Sequence, residues 1–244
     1  MDGKVEIIYE DDHVIVCRKP AGMATETARV GQKDMVSQLK NELAGKRRKA
    51  GQSIKGEPYL GVVHRLDQPV EGLLVFGKDK AAAAKLSAQL REITLNKHYR
   101  AVVCGQPSAN EGELVDHLYK NKENRAVAVT EDVAAQTNAK RAVLQYQVLA
   151  TRKVPGEFSG ESISLLDIRI DTGRFHQIRA QMAHAGHPLL GDQKYGDERC
   201  QELSRQLGVQ NVALCAYKIE FRHPATGKRL QFAIESDAKI FGSF

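Results

Sequence analysis

The sequence predicts an α+β fold, a mixed and mainly antiparallel β-sheet with flanking helices. Three observations predict it. Short apolar runs separated by turn residues open and close the chain as hairpins, two stretches of helical apolar period each follow an aspartate, and strand-like segments dominate the second half.

The elements follow in order. Val5 to Tyr9 and His13 to Arg18 form the first hairpin, joined at Asp11 and Asp12. Asp34 is placed to cap a helix that carries Val36, Leu39 and Leu43 on one face and stops at Gly45, which leaves Lys46 to Gly56 as a loop or part of one. Gly61 to His64 and Leu73 to Phe76 are apolar runs, and Asp67 to Gly72, with Pro69, supplies the turn between them. Asp79 caps a second helix with Ala82, Leu86 and Leu90 on its inner stripe, its alanines adding propensity. Leu144, Tyr146, Val148 and Ala150 alternate with polar residues, the mark of a half-buried strand. In Ile163 to Ile170 the apolar phase slips between Leu165 and Leu166, which requires a bulge or a strand buried on both faces. Gly173 to Ala185 reads as a turn entering a helix. The chain closes on a hairpin, with Ala213, Cys215, Tyr217, Ile219 and Phe221 on one face, a turn at His223 to Lys228, and Leu230, Phe232 and Ile234 returning. No internal repeat, low-complexity tract or linker interrupts it, so residues 1–244 are expected to form a single domain.

Composition narrows the function classes. A chain of 244 residues buries a sizeable core. It has no long apolar run and no signal-like start, so neither export nor membrane insertion is expected and the cytoplasm is the expected location. Cys17, Cys104, Cys200 and Cys215 are scattered, which reads as reduced thiols rather than a zinc or disulfide framework. The net charge of +6 leans toward an anionic partner. Between Gln38 and Gly56, Lys40, Lys46, Arg47, Arg48, Lys49 and Lys55 stand against Glu42 alone, so nearly all of the net charge is concentrated there. Such a run is often only a solvated surface.

The most informative stretch is GVVHRLDQPVEGLLVFGK, Gly61 to Lys78. It holds Asp67 on a tight loop between two apolar strands, a rigid way to present a reactive group. Taken alone, a turn aspartate bonding its own backbone is the better explanation, because aspartate is a frequent turn former. The block resembles the catalytic motif of the RluA-type RNA pseudouridine synthases, in which His-Arg-Leu-Asp precedes a Gly-Leu-Leu strand. Three further blocks are similar to that family in the same order: YEDDHVIVCRKPAG from Tyr9, LNKHYRAVVCG from Leu95, and IDTGRFHQIRAQMAHAGHPLLGDQKYG from Ile170. Together they span most of the chain.

The resemblance implies a pseudouridine synthase catalytic-domain fold and an RNA isomerase acting on ribosomal or transfer RNA, a monomer in the cytoplasm, with no cofactor. Only 63 residues precede His64 and they already hold the hairpin, so no separate N-terminal RNA-binding module is expected. The resemblance makes Asp67 the catalytic carboxylate, Arg179 its cationic partner and Tyr99 the aromatic that stacks on uracil and helps remove a proton. The isomerisation breaks a sugar–nitrogen bond, turns the base over and rejoins it through carbon. A carboxylate beside the anomeric carbon serves as nucleophile or as base toward a sugar proton. Arg65 is suited to fill the space of a flipped base or to hold a phosphate, and Lys46, Arg47, Arg48, Lys49 and Arg174 complete the expected RNA-binding set. His64 is expected to support the loop.

Other readings are weaker. His-Arg-Leu-Asp lacks the glycine-rich loop and downstream asparagine of a kinase, and His184 with His187 lacks a third metal ligand, so no metal is expected. Asp67 with Asp167 or Asp171 forms a glycosidase pair only on paper. A catalytically silent RNA-binding or ribosome-assembly protein would have no need of the three catalytic candidates, and a small-molecule nucleoside hydrolase would need no basic segment. The chain departs from the family pattern at Val70 and Glu71, where Thr-Ser is usual, at Arg18, where asparagine is usual, and at Gln181, where histidine is usual. Glu71 is expected to add negative charge near the RNA path.

Overall fold

A computed structural model describes residues 5–27, 31–51, 56–156 and 160–244. The chain divides into two compact units: one runs up to Asn96 and includes Lys218–Ile234, and the other comprises Lys97–Tyr217 and Glu235–Phe244.

The first unit opens with the antiparallel hairpin β1 (Glu6–Glu10) and β2 (Val14–Lys19). Its turn is fixed by Asp11, whose carboxylate accepts from the His13 and Val14 backbone N–H groups at 2.8 and 2.9 Å. Helix α1 (Met35–Lys49) begins where Asp34 accepts from Ser37 N–H at 2.7 Å and buries Met35, Leu39 and Leu43. It does not stop at Gly45. The basic residues expected in a loop form its last turn, where cations meet the negative end of the helix dipole. The terminating glycine is Gly51, at φ 69°, whose N–H returns to the Arg48 carbonyl.

Strands β3 (Gly61–Val62) and β4 (Glu71–Gly77) are antiparallel, as the motif predicts, and β4 also pairs with β2. Helix α2 (Lys80–Arg91) is capped by Asp79 and packs close on these strands. A Cβ added at Gly77 would lie 2.5 Å from the Ala83 backbone nitrogen, so the approach depends on glycine. Within this unit the strand order is β1-β2-β4-β10-β11, with β10 (Leu214–Arg222) entering from the second unit and β11 (Arg229–Ala233) pairing with it. The core joins Val14, Val16, Leu73, Val75, Leu86, Ile219 and Phe221.

In the second unit β5 (Asn96–Cys104), β6 (Glu111–Lys120), β7 (Ala126–Val129), the one-turn helix α3 (Glu131–Ala134), β8 (Lys140–Lys153) and β9 (Ser162–Ile170) precede α4 (Gln177–His184) and α5 (Glu198–Gln206). The strand order is β5-β9-β8-β6-β7 and each of these pairings is antiparallel. The phase slip at Leu165 and Leu166 has a specific origin. The β8–β9 register passes from Val148↔Leu166 to Ala150↔Leu165, so the additional residue is Leu149 on the partner strand. One core cluster gathers Val102, Ile163, Leu190, Leu203 and Ala213 around a disulfide between Cys104 and Cys200, whose Cα atoms are 6.0 Å apart. The expectation of four reduced thiols is therefore corrected for this pair, which β5 and α5 bring together across 96 residues of sequence. Cys17 and Cys215 are free and buried.

Candidate active site

In the first unit, the loop between β3 and β4 is held on both sides of Asp67. Ahead of it, buried His64 accepts from the Val75 N–H through Nε2 at 3.2 Å, and buried Thr25 Oγ1 both accepts from Leu66 N–H and donates to the Leu66 carbonyl at 3.1 Å. Behind it, the Gln68 carbonyl accepts from Gly22 N–H at 2.8 Å and from the Lys19 ammonium at 3.1 Å. A turn from the Asp67 carbonyl to Val70 N–H, 3.0 Å, closes the loop. The tethers from Lys19, Thr25 and His64 are buried, so Asp67, itself half-buried, sits on a backbone that is fixed before any substrate arrives.

Lys19 is a participant that sequence reasoning missed. It is fully buried, and its ammonium donates to the carbonyls of Pro20, Met23 and Gln68 at 3.0, 2.7 and 3.1 Å. Burial pulls its pKa down to about 7, against the upward pull of the Asp67 and Glu71 charges. The only signal in the sequence was its place at the end of β2, before Pro20.

Two departures from the family pattern meet here. Glu71 is buried, and its carboxylate lies 3.5 Å from the guanidinium of Arg18, which also pairs with Glu6. The charge expected beside the RNA path is thus buried and paired, and the arginine at position 18 supplies its counter-charge. Val70 is buried as well.

In the second unit, Tyr99 on β5 is buried and pairs in register with Ile168, which pairs with Tyr146 on β8. These residues and Ala142 lie on one face of the sheet, because strand side chains repeat every second residue. Helix α4 covers the same face: Ala180 packs with Ala142 and Leu118, and buried Gln181 donates to the Leu114 carbonyl, to Asp116 and to the Ala142 carbonyl. The glutamine that replaces a histidine therefore ties α4 to β6 and β8.

Arg179 is buried on α4 and paired with buried Asp192, Nε and one terminal nitrogen donating to its two oxygens at 2.7 and 2.8 Å. Asp192 also accepts from the backbone N–H groups of Lys194 and Tyr195, and the Arg179 guanidinium lies 5.1 Å from the Tyr195 ring centre. The pair fixes the plane of the guanidinium, and Asp192 uses two of its five N–H donors. Asp192 and Tyr195 belong to the GDQKYG end of the third motif block, which was the available signal. His176, at the start of α4, adopts a left-handed conformation at φ 50° and ψ 28° with Nδ1 2.9 Å from the Tyr195 hydroxyl, a strained residue within a motif.

The glycosidase pair finds no support in the surroundings of Asp167, whose side chain faces away from Tyr99. Tyr217 donates to it at 2.7 Å and Arg100 lies at 3.4 Å; burial raises its pKa, but the neighbouring His98, Tyr217 and Arg100 outweigh that and lower it. Among the described residues no three His, Cys, Asp or Glu side chains converge on a point that would hold a metal ion. No helix among them is long and apolar enough to cross a membrane.

The expected RNA contacts differ in availability. Arg65 is exposed and pairs with Glu26, a surface pair that RNA can displace at little cost. Lys46 pairs with Glu10 and Glu42, so its charge is partly neutralised inside the protein. Arg47, Arg48 and Lys49 are exposed and have no acidic partner among the described residues. Arg174 is exposed in the other unit, its Nε donating to the Arg141 carbonyl. Lys55 lies outside the described residues.

Comparison with known proteins agrees with these blocks. The profile of the family described as RNA pseudouridylate synthase matches residues 13–184. The chain is 37% identical over 238 residues to the ribosomal large subunit pseudouridine synthase D of Zymomonas mobilis, covering 96% of this chain and 70% of that protein. It is 31% identical over 234 residues to the ribosomal large subunit pseudouridine synthase C of Vibrio parahaemolyticus, covering 96% of this chain and 66% of that one. It is 30% identical over 238 residues to the tRNA pseudouridine synthase C of Yersinia pestis, with coverage of 96% and 87%. Among solved structures, human RNA pseudouridylate synthase domain containing 4 aligns at a TM-score of 0.71 and 25% identity, covering 97% of this chain and 90% of that one. Motif blocks, sheet architecture and relatives converge, and the chain belongs to the RluA-type RNA pseudouridine synthase family, the isomerases that convert uridine in RNA to pseudouridine.

Proposed function

We propose that this protein isomerises specific uridines in structured RNA, ribosomal or transfer, with Asp67 acting on the ribose of a flipped-out uridine. The observation that carries the reading is the Asp67 loop, a half-buried carboxylate on a backbone pinned by Lys19, Gly22, Thr25 and His64. Such fixation is what a group needs when it must meet one anomeric carbon. Arg179 is the cationic partner of Asp67, and Tyr99 stacks on uracil and assists proton removal from the rejoined carbon. Extracting the base costs a few kcal/mol, recovered through contacts from Arg65 and the basic surface. Relatives named for large-subunit ribosomal and transfer RNA support both substrate classes. On this reading the protein works in the cytoplasm as a monomer, in keeping with those ribosomal and transfer RNA substrates.

The test is to map pseudouridines in RNA from cells with and without the gene, and then to assay Asp67→Asn on the site found. The amide preserves shape but is neither nucleophile nor base, so product formation should vanish while RNA affinity stays near wild type. Turnover by Asp67→Asn would remove Asp67 from its role. Tight RNA binding by the wild type with no missing pseudouridine would favour a silent RNA-binding protein.

A further inference from the structure

Lys97 is the second residue of β5, two before Tyr99, and therefore shares its face of the strand. It is only part-exposed, yet among the described residues its ammonium has neither an ion-pair partner nor a hydrogen-bond acceptor. Burial alone lowers its pKa to about 8, with no nearby acid pulling it back up. Lys19, which is fully buried, satisfies its three protons on carbonyls; Lys97 does not. A cation kept in such a place without an internal counter-charge points to an anion that arrives from outside.

The residue beside it points the same way. The Lys97 ammonium lies 3.9 Å from where a Cβ on Gly173 would stand, and no other atom comes within 4 Å of that point. Gly173 has no left-handed φ, so its backbone does not demand glycine, and neither does packing. The other reason for a glycine is close approach of a ligand to the backbone. This turn joins β9 to α4, the helix that carries Arg179, and Arg174 follows at once with an exposed side chain.

We propose that Lys97 and the turn at Gly173 form a phosphate site, in which the ammonium of Lys97 takes one backbone phosphodiester of the RNA and that phosphate lies against the bare face of Gly173. A compact ammonium suits a phosphate as a point charge. The site rests on the proposed RNA-modifying role and adds to it a positioning contact on the Tyr99 face of β5.

The test measures binding of a large-subunit ribosomal RNA transcript across a salt series, with melting curves to verify folding. Lys97→Met retains the apolar stem and removes the charge. It should lower the slope of log affinity against log salt by about 0.7 to 0.9, roughly a fivefold loss of affinity at ~0.1 M salt. Lys97→Arg should restore both, and Gly173→Val should weaken binding without lowering the melting temperature. A folded Lys97→Met with wild-type slope and affinity overturns the site. Should that variant not fold, Gly173→Val decides, and unchanged affinity there overturns it equally. Failure of the wild type to bind RNA in a salt-dependent way would bring down the RNA reading itself, a result distinct from failure of Lys97 alone.

Discussion

At the scale of single residues, two buried charges govern the Asp67 loop. Lys19→Met would take the ammonium from the Pro20 and Met23 carbonyls, at about 1 to 3 kcal/mol for each one left unsatisfied, and would leave the Gln68 carbonyl with Gly22 N–H alone, loosening the backbone around the carboxylate. The expected result is a fall in kcat with RNA affinity largely kept, because Lys19 is enclosed and meets no phosphate. Its titration gives an independent readout. The folded pKa, about 7, lies below the unfolded value near ~10.4, so between these limits the unfolded chain holds the extra proton. Wild-type stability should therefore rise with pH across that window relative to Lys19→Met, measured by urea unfolding at several pH values; parallel curves would contradict the shift. Arg18 and Glu71 are tested by a cycle. Breaking a buried pair from one side costs about 3 to 5 kcal/mol, whereas Arg18→Asn with Glu71→Ser removes both charges and should cost less than the two single changes together. Strict additivity would mean that the two departures are unrelated.

At the scale of elements, local signals found what they encode and missed what distance creates. Asp34 and Asp79 announced α1 and α2 because a cap and an apolar stripe are written within one or two turns of sequence. Asp34→Ala should cost about 2 kcal/mol, the upper end for a cap, because its second oxygen also accepts from Thr27 N–H at 3.0 Å. A loss below ~0.5 kcal/mol in urea unfolding would show that the Met35, Leu39 and Leu43 stripe holds the helix alone. The end of α1 was misread at Gly45 since an interior glycine costs only about 1 kcal/mol and tertiary packing outvotes it. Strands β6 and β7 and helix α5 went unassigned. In β6 the residues facing α4 include Asp116, whose polarity masks the period because its partner, Gln181, is 65 residues away. The same holds for the candidate site: Asp67, Tyr99 and Arg179 are proposed from motif blocks, whereas Lys19, Asp192 and the Cys104–Cys200 bond depend on neighbours the sequence does not place side by side.

At the scale of the whole molecule, the net charge of +6 is a statement about partners only if its location faces RNA. The helical end of α1 sharpens that question, because a helix presents consecutive side chains in different directions and a loop need not. Lys46 is turned toward Glu10 and Glu42, which leaves Arg47, Arg48 and Lys49 as the exposed charges without an acidic partner among the described residues. Two phosphate contacts among these three would change the slope of log affinity against log salt by about 1.4 to 1.8, using the values for single strands and duplex DNA as a guide. Replacing all three with alanine should flatten the slope by that amount and leave the single-turnover rate at saturating RNA close to wild type, since none belongs to the Asp67 loop. Lys46→Ala alone should change the slope much less and instead lower the melting temperature slightly, because it breaks exposed ion pairs worth less than about 1 kcal/mol. Equal slopes for wild type and the triple variant would assign the end of α1 to solvent and move the RNA surface to Arg65, Arg174 and Lys97. Equal effects of Lys46→Ala and the triple variant would show instead that RNA draws Lys46 away from Glu10, so that binding and the packing of α1 against β1 compete for one charge.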